Sequence, residues 1–263
     1  MRLEVVSRQP DAPVTETPLL FVHGAWHGAW CWAEHFLDYF VARGYSVHAL
    51  SLRGHGTSDG HERLRWWRVA DYVADIRQVV AQLPQPPVLI GHSMGGFVVQ
   101  KYLESETAPA AVLLASVAPY GILMRFLRFV LRHPGAGLKV VLGLSPYQVV
   151  GTLALAREML FSPAMSPETS EAYYRLLQEE SFLAFVDMML LNLVRPARVK
   201  TPVLVLGGTA DQTIQPPDIE ATARAYKTPA QLLPGVTHDA MLDPQWQTVA
   251  DAVIAWLQGQ AVS

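Results

Sequence analysis

The chain has 263 residues, enough for one large α/β domain or two small ones with a sizeable buried core. Hydrophobic residues make up 51% and charged residues 16%, which excludes a disordered chain, and a formal net charge of −3 argues against nucleic acid as a partner. The lone cysteine, Cys31, excludes an internal disulfide and fits a reducing compartment, so a cytoplasmic location is expected. The first residues, MRLEVVSRQPDAP, lack the apolar centre of a secretion signal, and no run approaches the roughly 18 apolar residues of a membrane span.

Taken in chain order, the predicted elements alternate. Apolar runs without polar alternation lie at 18–24 (PLLFVHG), 46–52 (SVHALSL), 87–93 (PVLIGHS), 110–117 (AAVLLASV), 201–208 (TPVLVLGG) and 230–235 (AQLLPG). They read as strands of a parallel sheet covered on both faces. Helical periodicity fills the intervals, at 31–44, 68–83, 94–106 and 245–259; the second of these puts Val69, Tyr72, Val73, Ile76, Val79, Val80 and Leu83 on one stripe. Strand and helix in alternation predict a doubly wound α/β sheet. Residues 120–197 break the pattern: they are mostly helical in pattern, with no clear strand, and punctuated by proline and glycine. They predict a helical cap, with the core formed by 1–119 and 198–263, lying over the C-terminal sheet edge where open α/β sheets bind ligands.

The strongest local signal is LIGHSMGG at 89–96, a G-x-S-x-G pattern of Gly91, Ser93 and Gly95 placed directly after a strand and directly before a helix. A serine on that sharp turn takes a strained backbone and projects its hydroxyl above the sheet, and the flanking glycines make room for the turn. Serine is unreactive at neutral pH without a base and an orienting acid. VLVLGGTADQTI offers Asp211 just past one strand, and LLPGVTHDAMLD offers His238 in the loop after the next. Among the other histidines, His92 suits packing or hydrogen bonding within the turn, His55 and His61 sit on a loop that could line a pocket, and His133 lies in the cap. The competing acids are Asp59, Asp187 and Asp239, the last disfavoured because side chains adjacent in sequence seldom face each other.

FVHGAW (21–26), LRGHGTSDG (52–60), GHSMGG (91–96), GGTADQ (207–212) and GVTHD (235–239) occur in an order that resembles the α/β-hydrolase family, over nearly the whole chain. The cofactor-free serine esterase and lipase branch is the most similar. The resemblance implies an eight-stranded, mostly parallel sheet whose first strands come from residues near 1–9. It also implies a Ser93–Asp211–His238 triad, oxyanion donors at the backbone N–H groups of Ala25 and Met94, and no metal or organic cofactor. Gly24 would let the loop bearing Ala25 turn toward Ser93. The activity implied is cleavage of a small-molecule carboxylic ester through an acyl-enzyme. Lysophospholipase, monoacylglycerol lipase, thioesterase, lactonase or carbon–carbon bond hydrolase chemistry uses the same residues, and a ligand receptor with a silent triad is the alternative of another class.

Two further features bear on substrate. HGAWHGAW at 23–30 repeats four residues; its first half is expected to serve the site and its second to lead into a helix. Trp26, Trp30, His92, Trp66 and Trp67 are candidates for pocket lining, and the two adjacent tryptophans fit equally well packed under the cap. In the cap, Arg125, Arg128 and Arg132 share a helical face. The plain expectation is an apolar face over the pocket with arginines in water, and the sharper one is weak contact with a membrane surface or with an acidic leaving group.

Overall fold

The structure is a computed structural model that describes residues 1–260. Seven strands form one sheet: β1 (Glu4–Arg8), β2 (Leu19–Val22), β3 (Val47–Ser51), β4 (Val88–His92), β5 (Ala111–Leu114), β6 (Val203–Gly208) and β7 (Ala230–Leu233), in the order β1-β3-β2-β4-β5-β6-β7. All neighbours run parallel except β1, which is antiparallel to β3. Every residue of β2 to β6 is buried, as both faces of a sheet covered by helices require. Among the described residues the expected eighth strand is not formed. The N-terminal stretch supplies one strand, Glu4–Arg8, which pairs directly with Val47–Ser51, and the chain then reaches β2 through Pro10, Pro13 and Pro18, residues that donate no ladder hydrogen bond.

The crossover helices follow the apolar stripes. Helices α1 (Trp30–Ala33) and α2 (Phe36–Val41) follow β2; α3 (Val69–Val80) buries Val69, Tyr72, Val73, Ile76 and Val79; α4 (Met94–Tyr102) leaves β4 with no intervening loop. Between β5 and β6 the described chain is helical: α5 (Leu123–Arg132), α6 (Pro134–Gly143), α7 (Leu153–Met159), α8 (Pro167–Leu176) and α9 (Phe182–Val186), the last running into one π-helical stretch, Asp187–Leu191. Helices α10 (Pro216–Tyr226) and α11 (Trp246–Gln258) complete the core.

The insertion is held to the core by buried polar contacts. Glu180 is fully buried and accepts from the Tyr72 hydroxyl at 2.7 Å, while His55 Nε2 lies 3.1 Å from its other oxygen. Gln178 bridges the core loop after β3, donating to the Gly54 carbonyl at 2.8 Å and accepting from the Gly56 amide at 2.9 Å. Arg68 clamps the buried Asp187 carboxylate, with Nε at 2.8 Å, and Arg125 pairs with Asp218 on α10. The competing acids Asp59 and Asp187 are thereby accounted for, since Asp59 pairs with Arg2 at the surface.

Two glycines bring the sheet edge together. A Cβ on Gly95 would lie 2.3 Å from the His23 carbonyl oxygen and 2.4 Å from that of Val22, and one on Gly91 would lie 2.7 Å from Gly95 and Gly96 backbone atoms. Backbone cannot yield as a flexible side chain does. Gly95→Ala is therefore expected to lower the unfolding free energy by about 3 kcal/mol or more, read by urea denaturation; an unchanged midpoint would contradict this packing.

Candidate active site

The parallel register sets Val22 beside Gly91, His92 beside Leu114, and Gly208 beside Leu233, so the loops after β2, β4, β6 and β7 open at one edge. Ser93 stands at the turn between β4 and α4 with φ 51° and ψ −117°, a left-handed conformation that costs a non-glycine residue about 1–3 kcal/mol. Its backbone is held on both sides: the amide donates to the Leu114 carbonyl at 3.0 Å, and the carbonyl accepts from Phe97 at 3.2 Å and Val117 at 3.1 Å.

His238 Nε2 lies 3.0 Å from Ser93 Oγ, and His238 Nδ1 lies 2.8 Å from Asp211 Oδ2. The other Asp211 oxygen accepts from the amides of Thr213 at 2.7 Å and Ile214 at 2.8 Å. A carboxylate only accepts, so the imidazole proton belongs on Nδ1, which leaves Nε2 as the acceptor facing the Ser93 hydroxyl. All three side chains are buried. Burial disfavours the charged imidazole of His238, but the Asp211 carboxylate and its hydrogen bond outweigh that and hold the pKa above the ordinary histidine value.

The surrounding histidines have different work. His92 Nε2 donates to the His238 carbonyl at 2.9 Å and so supports the loop that carries the imidazole. Burial, with repulsion from His238, pushes the His92 pKa down to about 3. His23 accepts from the Leu52 amide through Nε2 at 3.0 Å and contacts the Gly24 carbonyl through Nδ1 at 2.7 Å; burial lowers its pKa well below the usual value. Gly24 passes so close to His92 that a Cβ would meet Nδ1 at 2.6 Å. Sequence reading missed His27. Its Nδ1 lies 2.7 Å from the Ala25 carbonyl and its Nε2 lies 3.1 Å from Asp239 Oδ2, which ties the loop after β2 to the residue beside His238. Burial alone would raise the Asp239 pKa, but His27 and the neighbouring histidines bring it below the carboxylate norm. The signal was present in the second copy of HGAW.

An open cavity of about 960 Å³, its mouth included, reaches Ser93, and the residues of Ala25 and Met94 line it there. Among the described residues neither backbone N–H has a protein acceptor. Phe126, Phe129, Val149, Met159, Phe185 and Met188 make the walls apolar, and Arg125, Arg128, Arg132 and His133 also line it. Of the five candidates for lining, only Trp26 belongs to the wall. Trp30 stacks on His27 with ring centroids 5.3 Å apart, and His92 sits behind His238. Trp66 is half exposed, and Trp67 turns its indole N–H to the Gly60 carbonyl at 2.9 Å under the Arg53 and Arg63 guanidiniums. His55 and His61 are likewise outside the wall, and His133 pairs with Glu158 at 3.1 Å. For metal binding, His92, His238 and Asp239 offer ligand atoms within 4.8 Å of one another, but a cation taking His238 would break its bond to Ser93 or Asp211.

The model of the alpha/beta hydrolase family matches residues 19–252. The chain belongs to the alpha/beta hydrolase family. This hydrolase is 27% identical to a monoacylglycerol lipase of Mycolicibacterium smegmatis over 244 residues, 85% of this chain and 82% of that protein. It is 34% identical over 108 residues to norfluorocurarine synthase 1 of Strychnos nux-vomica, an alignment that takes in 38% of each protein. In three dimensions it superposes on a bromoperoxidase of Bacillus anthracis with a TM-score of 0.73 at 18% identity, covering 97% of this chain and 96% of the other. Among the described residues no helix is long and apolar enough to cross a membrane.

The electrostatics of the site are testable without substrate. In an NMR titration of ring nitrogens, His92 should remain neutral down to about pH 4, because burial and His238 oppose its charge. Protonation of His92 near pH 6 would show that the pocket behind His238 is wet and open.

Proposed function

We propose that this hydrolase cleaves carboxylic esters of small to medium apolar acids through an acyl-enzyme on Ser93. One observation carries the reading: the continuous hydrogen-bonded series from Asp211 through His238 to Ser93, at a cavity floor beside two uncommitted backbone amides. Ser93 Oγ attacks the ester carbonyl while its proton passes to His238 Nε2. The carbonyl oxygen becomes an oxyanion held by the N–H groups of Ala25 and Met94, each supplying roughly 3 kcal/mol of transition-state stabilisation. The tetrahedral intermediate then expels the alcohol, which takes the proton from His238. Water repeats the sequence on the acyl-enzyme: it gives a proton to His238, attacks the carbonyl and releases the acid, and the proton returns to Ser93 Oγ.

The apolar walls support an acyl chain as the part of the substrate bound deepest. The ester-cleaving relative, a lipase of monoacylglycerol, agrees with such a guest. Domain assignment follows the same reading, with 120–197 as a lid over a core of 1–119 and 198–263, of which 261–263 lie outside the described residues.

A fluorophosphonate probe is expected to label the wild type, and a p-nitrophenyl ester series from acetate to palmitate should be turned over with a chain-length optimum. Ser93→Ala should lose labelling and at least about 10³-fold in kcat. An unlabelled wild type would remove Ser93 as nucleophile, and tight ligand binding without turnover would favour a receptor.

The pH profile supplies a second check. Only neutral His238 can take the proton, so kcat/KM should fall as pH drops through a midpoint above 6.5. In Asp211→Asn, the main effects that oppose burial are lost and the Asp239 charge remains, so the midpoint should move to lower pH while kcat drops about 10⁴-fold. A profile flat between pH 5 and pH 8, roughly the histidine range, would rule out His238 as the base.

A further inference from the structure

Helix α5 carries two apolar arcs, and only one of them is used by the cavity. Phe126 and Phe129 turn inward and line the cavity wall. Met124, Leu127 and Leu131, spaced three and four apart, share a different side of the helix and face solvent, with Leu131 84% exposed. The next helix repeats the arrangement. Leu138, Val141 and Leu142 of α6 face solvent, with Leu142 76% exposed, while Gly137 and Val140 are buried. The two helices pack on each other, so six large apolar side chains stand on one helical pair. Such concentrations mark a surface that is covered in use.

The charges beside this crest select what covers it. Arg128 and Arg132 border the arc on α5, and Lys139 borders it on α6. All three are exposed. Arg132 pairs with Glu158, whereas Arg128 and Lys139 have no ion pair among the described residues. No Asp or Glu occurs between Glu106 and Glu158. A second copy docked on the same crest would bring like charges together in a low-dielectric contact. An anionic lipid surface meets both demands, taking the leucines among its acyl chains and the cations among its headgroups.

We infer that α5 and α6 form a docking surface for anionic lipid bilayers, exposing Met124, Leu127, Leu131, Leu138, Val141 and Leu142 to the membrane between basic flanks. The surface is continuous with the cavity, because α5 supplies wall residues from its inner arc and bilayer contacts from its outer one. An apolar guest can then pass from membrane to cavity along one helix. The inference stands on surface chemistry and does not depend on Ser93.

The test is co-sedimentation of the full chain with large vesicles of phosphatidylcholine containing about 30% phosphatidylglycerol, against phosphatidylcholine alone. Wild type and Ser93→Ala should bind the anionic vesicles equally and the neutral ones more weakly. Leu131→Ser combined with Leu142→Ser should lower the partition coefficient roughly tenfold or more. The melting temperature should hold, since neither side chain is buried. Lys139→Gln should weaken binding to anionic vesicles alone. Absence of wild-type binding, or binding that the leucine substitutions leave intact, would overturn the inference. So would a concentration-dependent dimer, seen in sedimentation and abolished by the same substitutions, with no affinity for vesicles.

Discussion

The left-handed backbone at Ser93 is the constraint on which the rest depends. A strand that ends in a tight turn and passes at once into a helix needs a residue with positive φ there, and its neighbours must approach other backbone closely. Gly95 meets the carbonyls of Val22 and His23, and Gly91 meets Gly95 and Gly96, so the turn between β4 and α4 is pressed against the loop after β2. Ala25 and Met94 line the same cavity as Ser93. The strain is sustained because Leu114, Phe97 and Val117 fix the Ser93 peptide groups.

Around this turn the histidines form a scaffold rather than a set of interchangeable bases. His92 holds the His238 loop by its carbonyl, His23 links β2 to the segment after β3, and His27 joins the Ala25 carbonyl to Asp239. Burial and mutual repulsion keep the His92 and His23 pKa values low, whereas the Asp211 carboxylate raises that of His238. Environments that drive like residues apart in pKa separate structural from reactive groups. In the proposed reaction, His238 acts as base because its ring faces both a carboxylate and a hydroxyl.

The central strands were legible because a strand buried on both faces has no polar alternation to obscure it, and β2 to β6 are apolar runs. Ser93, Asp211 and His238 stood out because each follows a strand, in an order the glycines around Ser93 anchor. Other features depend on tertiary packing that local pattern does not encode. The strand count differs by one because the residues near the N-terminus supply a single strand, paired with β3, before the proline-interrupted approach to β2. Trp66 and Trp67 are adjacent, yet one is exposed and the other lies under arginines, which composition does not distinguish. The plain expectation for α5 placed its apolar face over the pocket. Phe126 and Phe129 are there, but a second apolar arc faces outward, and one periodic pattern hides two arcs. The role of His27 is not legible in local pattern, since its partner, Asp239, lies 212 residues away.

In the proposed reaction Ser93 takes up the acyl group while the carbonyl oxygen becomes an oxyanion between two backbone amides. The direct measurement is a crystal structure of the protein after reaction with an alkyl phosphonate, whose tetrahedral phosphorus imitates the oxyanion intermediate. Phosphorus is expected bonded to Ser93 Oγ, with one phosphonyl oxygen within about 3.1 Å of both the Ala25 and Met94 nitrogens. A phosphonyl oxygen that turns away from both amides, or an adduct on a different side chain, would contradict it.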